Sequence, residues 1–130
     1  MTFREIFNAA VGMVCESVEN GDCADYEERA PYLLAAACNE CAASDRSYRM
    51  AHGADGGSYS ETVCVGLDDA FPLADALATG VTYYLAAMLV LDENEEMSDR
   101  FFSLFCDTLS RIRASLPAKP EAIGDRYGLK

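Results

Sequence analysis

The chain is 130 residues long, carries 22 Asp and Glu against 10 Lys and Arg, and has a formal charge of −12 with 51% apolar residue types. Half of its residues are available to offset the entropy of ordering, which fits a single soluble globular domain over residues 1–130 and excludes intrinsic disorder. The acidic balance argues against sequence-specific nucleic-acid binding and against anionic membrane surfaces, since both depend on neutralising phosphate.

Composition favours helix, with 20 Ala and 12 Leu against 7 Val and 3 Ile. Thr2 followed by Glu5 is a capping-box signature, and Ile6, Ala10, Met13 and Val14 then recur at helical spacing. Asn20-Gly21-Asp22 supplies a stop, so the first helix is predicted from Thr2 to about Glu19. A second helix begins near Asp25 or Ala30, with Asp25, Glu27 and Glu28 at its positive end and Pro31 in its first turn. Leu33, Leu34, Ala37, Cys38, Cys41 and Ala42 line its apolar face, and the pattern fades after Ser44 except at Tyr48.

Between His52 and Leu67 the character changes. Gly53, Gly56 and Gly57 mark a loop, and Tyr59, Thr62, Val63 and Val65 read as a short extended segment. Asp68, Asp69 and Pro72 announce a third helix, which runs from Leu73 to Leu89 and is apolar on nearly every side, as a central buried helix is. Gly80 inside it costs about 1 kcal/mol against Ala, which points to the close approach of another backbone. Asp92 to Glu96 form a cap and an acidic first turn for a fourth helix. That helix carries Phe101, Phe105, Leu109 and Ile112, ends in Arg111 and Arg113, and is stopped by Pro117 and Pro120. The reading is an all-α domain of about four helices in a compact bundle, with an irregular polar tail over residues 116–130.

Six cysteines pose a redox question. Residues Met1 to Phe7 lack a basic region followed by an apolar one, so a reduced, cytosolic setting with free thiols is the expectation, and one or more bridges are the alternative. The most apolar stretch, Ala78 to Leu91, is shorter than the roughly 20 residues that span a bilayer.

Cys38-Asn39-Glu40-Cys41 has the spacing of half a zinc site or a redox pair. No second pair completes a zinc site, and the motif falls inside a helix, so two small side chains on a packed face is the favoured reading. His52, the one histidine, has no local partner. Neither a nucleophile elbow, a zincin motif nor a phosphate loop is present. Asp92, Glu93, Glu95, Glu96 and Asp99 lack the alternating ligands and glycine turn of a calcium loop, and they read as a solvated helix start. Phe101, Phe102 and Phe105 have the spacing of core packing or of a partner-binding stripe. Catalytic residues, cofactor and metal ligands are accordingly expected to be none, and the protein is read as a non-enzyme with no small-molecule substrate.

The run Asp69-Ala70-Phe71-Pro72-Leu73-Ala74-Asp75 leads into a helix ending Tyr83-Tyr84-Leu85-Ala86-Ala87-Met88-Leu89, and Asp99-Arg100-Phe101-Phe102-Ser103-Leu104-Phe105-Cys106 follows. Together with Asp25-Tyr26 through Leu34 and the closing Ile123 to Gly128, this arrangement resembles small helical virion proteins of phages and prophages of Gram-positive bacteria, nearest in style to head–tail connector or head-completion proteins. The Cys-rich helices and the loop from His52 to Ser58 depart from that pattern. The resemblance implies an architectural function: self-association as a ring at the portal or neck, contacts with other virion proteins, and location in the bacterial cytoplasm and then the virion. An acidic channel wall would let DNA slide without sticking. A small adaptor or regulatory protein of a mobile element, and a thiol or metal module built on Cys38 and Cys41, are the alternatives.

Overall fold

A computed structural model describes residues 1–14, 23–54 and 59–117. Four α-helices make up the architecture among these residues: α1 (Phe3–Met13), α2 (Cys23–Ala51), α3 (Ala78–Leu89) and α4 (Glu95–Ser115), with a 3₁₀ turn at Asp75–Leu77 leading into α3. The domain is all-α, as the composition implies. Helix α3 packs against each of the other three. Val81, Leu85 and Ala86 are fully buried, and Leu89 is 1% exposed, so the all-round apolar pattern marks the centre of the bundle.

The ends of α1 and α3 show how the bundle closes its backbone accounts. At α1, Thr2 Oγ1 accepts from Glu5 N–H at 3.4 Å, as the capping box requires. The N–H groups of Phe3 and Arg4 donate to the carbonyls of Asp69 and Leu67 at 3.1 and 2.7 Å. The segment ahead of α3 thus caps α1, helped by an isolated antiparallel bridge between Thr2 and Ala70. At the end of α3, the Ala87 carbonyl accepts from Ser98 Oγ at 2.8 Å. The Met88 and Leu89 carbonyls accept from the Arg29 guanidinium at 2.9 and 3.4 Å. Three carbonyls that the helix itself leaves unpaired are therefore satisfied by α2 and α4.

Several boundaries differ from the sequence reading. Helix α1 ends at Met13, because Val14 leaves helical backbone and its N–H turns back to Val11 O at 3.1 Å. The predicted continuation to Glu19, and the stop at Asn20 to Asp22, fall outside the described residues. Helix α2 starts at Cys23, earlier than expected, so Pro31 lies in its interior and not in its first turn. Pro31 has no N–H to give the Glu27 carbonyl, and the residue is half-buried. Helix α2 also continues past Ser44 to Ala51, with polar anchors replacing apolar ones.

The third helix is shorter than predicted. Residues Leu67 to Ala74 are not helical, and Leu73 reaches the core from this irregular segment at 3% exposure. Pro72 disfavours helical backbone at Phe71, and Ala74 N–H is given to the Asp45 carboxylate at 2.7 Å. The expected extended segment at Tyr59 to Val65 forms no strand among the described residues. It is fastened to α2 instead. Asn39 Nδ2 donates to Thr62 O at 2.8 Å, Asn39 Oδ1 accepts from the Tyr59 hydroxyl, and Val65 N–H donates to the Pro31 carbonyl at 3.2 Å. Helix α4 begins where the acidic run predicts, with Asn94 Oδ1 accepting from Met97 N–H at 3.0 Å. The predicted tail from 116 is described only as far as Pro117.

Candidate functional site

The C-x-x-C motif sits in the core. Cys38 and Cys41 are free thiols with no exposure, packed on the inner face of α2. Burial pushes both up to about 12 from the ordinary 9.0, with the nearby Asp45 adding to the effect. A redox or metal-binding thiol needs a lowered pKa and access, and these two have neither. Among the described residues no group of three or more His, Cys, Asp and Glu is arranged to hold a metal ion. Cys64 and Cys106 are free and exposed.

His52 follows the end of α2 and is exposed. Its Nδ1–H donates to the Tyr48 carbonyl at 2.8 Å, and its ring stacks on Tyr48 with centroids 4.2 Å apart. This places it as a stacked helix-end residue. Of the loop that follows, Gly53 has φ +77°, a turn that glycine adopts without strain. Residues 55–58, which hold Gly56, Gly57 and Ser58, lie outside the described part. The acidic run ahead of α4 is exposed from Asp92 to Glu96, with Glu93 accepting from the Tyr26 hydroxyl at 2.9 and 3.0 Å.

What the fold does bring together is aromatic. Tyr83 and Phe101 stack with centroids 6.3 Å apart. Tyr84 meets Phe105 edge-on at 5.2 Å and Phe102 at 6.4 Å, and Phe102 and Phe105 lie 5.6 Å apart. Phe105 is 4% exposed and belongs to the core, whereas Phe102 is 40% exposed at the edge of the cluster. The stripe Phe101, Phe102 and Phe105 therefore does both jobs weighed for it: its inner rings pack α4 on α3, and its outer ring stays on the surface.

On the other flank of α4, a groove of about 570 Å³ runs between Tyr48, Tyr83, Thr79 and Ile112, with Arg111 as its charged side chain. Arg111 Nη2 donates to Thr108 Oγ1 at 3.3 Å. The volume is that of a ligand cleft, and the groove is open to solvent.

The polar residues that organise the molecule were not singled out in the sequence. They are Arg29, Asn39, Asp45 and Arg49. Three of them belong to two i, i+4 pairs legible in the sequence, Asp25 with Arg29 and Asp45 with Arg49, and that spacing is the available signal. Asn39 carried none, since its partners lie 20 and 23 residues away.

No helix among the described residues is long and apolar enough to cross a membrane. Comparison with family models, with curated proteins and with solved structures finds no match to this chain.

Proposed function

We propose that this protein is a non-enzymatic structural component, a head–tail connector-like virion protein of a phage or prophage that self-associates at the neck. One observation carries the reading. The two segments that bear most of the resemblance, Tyr83 to Leu89 and Asp99 to Cys106, are the paired helices α3 and α4, and their aromatic residues meet across that pair while Phe102 stays exposed at its edge. The buried side chains with chemical potential serve the fold: Cys38 and Cys41 in the core, Asp45 on Arg49, and the half-buried Arg29 on carbonyls. In such a protein the surface is the functional part, and the net charge of −12 suits a wall that DNA passes without adhering.

Native mass spectrometry of the chain with a portal ring, alongside electron microscopy of the concentrated protein, tests this. Ring-shaped assemblies or stoichiometric binding to the portal are expected. Persistent monomers with no affinity for any virion component would overturn the reading. The adaptor reading draws on the same exposed Phe102: a monomeric or dimeric chain that holds one soluble partner through α4 would replace the ring, and light scattering separates the two.

A further inference from the structure

Helix α4 carries a second stripe, distinct from the one that faces the core. Glu95, Asp99, Phe102, Cys106, Leu109 and Arg113 recur at alternating spacings of four and three, the rhythm that keeps residues on one seam of a helix. All are exposed except Leu109, which is half-buried at the margin of the core. The stripe is acidic at its start, apolar in its middle and basic at its end. Among the described residues Glu95, Asp99 and Arg113 form no ion pair, as Arg46, Arg100 and Arg111 also do not, so their charges are available to a second copy.

The stripe is complementary to itself when reversed. Laid antiparallel on a second copy about a point at residue 104, Phe102 falls opposite Cys106, Asp99 opposite Leu109, and Glu95 opposite Arg113. All three pairs share that centre, so one two-fold axis generates them together and each occurs twice, as in an isologous interface; Glu95 with Arg113 is the charge-complementary pair, while Asp99 meets Leu109 and takes its cation from Arg113 one turn away. Each Glu95–Arg113 pair lies about 13 Å from the axis at 1.5 Å per residue, and Arg113 reaches both Glu95 and Asp99, which stand one turn apart. The parallel arrangement puts Glu95 beside Glu95, Asp99 beside Asp99 and Arg113 beside Arg113, and like charges reject it.

We infer that this seam is an interface between two copies of the chain, α4 packing antiparallel on α4 with Phe102 over Cys106 at the centre and Glu95 and Asp99 on Arg113 at both ends. The inference stands on α4 alone and goes beyond the virion reading: a two-fold pair closes on itself and builds no ring, so a ring needs a further contact elsewhere on the chain, and portal binding and ring formation are read separately from the dimer.

Sedimentation equilibrium of the full-length chain over a concentration series tests it. A monomer–dimer equilibrium in the micromolar range is expected, in keeping with a small interface. Rising salt should weaken it. Arg113→Glu and Glu95→Arg should each weaken dimerisation about tenfold or more, and the two together should dimerise more tightly than either alone. Circular dichroism melts establish that each variant is folded. Register is read separately: Phe102→Cys places a thiol opposite Cys106 of the second copy, and a soluble disulfide oxidant, itself reduced to two thiols, should link the copies faster than it links Ser103→Cys or the unmodified chain. Adding Cys106→Ser to Phe102→Cys should abolish that gain. A chain that is monomeric throughout, a dimer indifferent to both reversals, or equal cross-linking of Phe102→Cys and Ser103→Cys would each overturn the interface.

Discussion

Asp45 and Arg49 stand one turn apart on α2, and both Asp45 oxygens accept from Arg49 Nε at 3.1 Å while the Asp45 side chain is 2% exposed. The same carboxylate accepts Ala74 N–H at 2.7 Å, and Arg49 Nη2 donates to the Pro72 carbonyl at 3.1 Å. One acid and one base therefore tie the last turns of α2 to the irregular segment that leads into α3. A single buried charge is tolerable here because it has three hydrogen bonds and a cation against it.

Removing that acid should be among the costliest single changes in the chain. Asp45→Ala leaves the Ala74 N–H and the Arg49 Nε–H without their acceptor, and the guanidinium without its counter-charge, and is expected to destabilise by about 3 kcal/mol. Asp45→Asn keeps an acceptor for Ala74 and should cost about half as much. Urea unfolding measures both. A loss within about 0.5 kcal/mol for Asp45→Ala would mean that Leu73 burial and the Arg49 bond to the Pro72 carbonyl hold the 72–74 segment without the acid.

Arg29 acts on the far end of α3, where its two nitrogens meet the Met88 and Leu89 carbonyls. No basic residue stands in the last turn of α3 itself, so a side chain from α2 supplies the charge that the dipole favours there. Arg29→Met should lower stability by about 1.5 kcal/mol. Arg29→Lys should recover less than half of that, because an ammonium cannot span two carbonyls as the planar guanidinium does. Full recovery by Lys would assign the effect to charge alone.

These two contacts also show where sequence reasoning ends. The helix starts at Thr2 and Asn94 and the burial of α3 were legible, since a cap and a period are written within one or two turns of chain. The interior position of Pro31 and the irregular path of Leu67 to Ala74 were not. The contacts that hold these two segments are remote in sequence: Arg29, in the helix that contains Pro31, is 59 residues from Met88, and Asp45, which acts on the 67–74 segment together with the local signal of Pro72, is 29 from Ala74. The α4 seam lay in the sequence as a period, but only the exposure of Phe102 and Cys106 separates it from the stripe that packs on α3.

The buried thiols give a pH dependence with a definite sign. Cys38 and Cys41 are held near 12 in the folded chain against 9.0 unfolded, so between those values the native state keeps protons that the unfolded state has lost. The stabilisation is complete below pH 9 and is lost as pH rises toward 12, each thiol contributing up to about 1.4 kcal/mol per pH unit. Chemical denaturation under reductant at stepped alkaline pH should show this fall, and Cys38→Ala with Cys41→Ala should remove it between pH 9 and 10, leaving above that the smaller fall due to the Tyr59 hydroxyl, which burial raises to about 12. In native buffer an aromatic disulfide reagent should modify Cys64 and Cys106 at once, with Cys38 and Cys41 reacting only after denaturation. Rapid native reaction of the buried pair would reopen the thiol reading.

Gly80 settles a smaller question by magnitude. The sequence pointed to a close backbone here, yet what an added Cβ would meet is side chain: Thr108 Cγ2 at 3.4 Å, with Phe105 Cδ1 and Thr108 Cβ at 3.8 Å. Those are ordinary contact distances. Ala in a helix interior gains about 1 kcal/mol over Gly, and the added methyl meets α4 without forcing the backbones apart. Gly80→Ala is therefore expected to stabilise by about 0.5 kcal/mol and raise the melting temperature by a few degrees. Gly80→Val sets two branched methyls against Thr108 and Phe105 and should destabilise by about 1 to 3 kcal/mol. A destabilised Gly80→Ala would mean that α3 and α4 are packed too tightly for a methyl, and that Gly80 is there for the helix–helix distance after all.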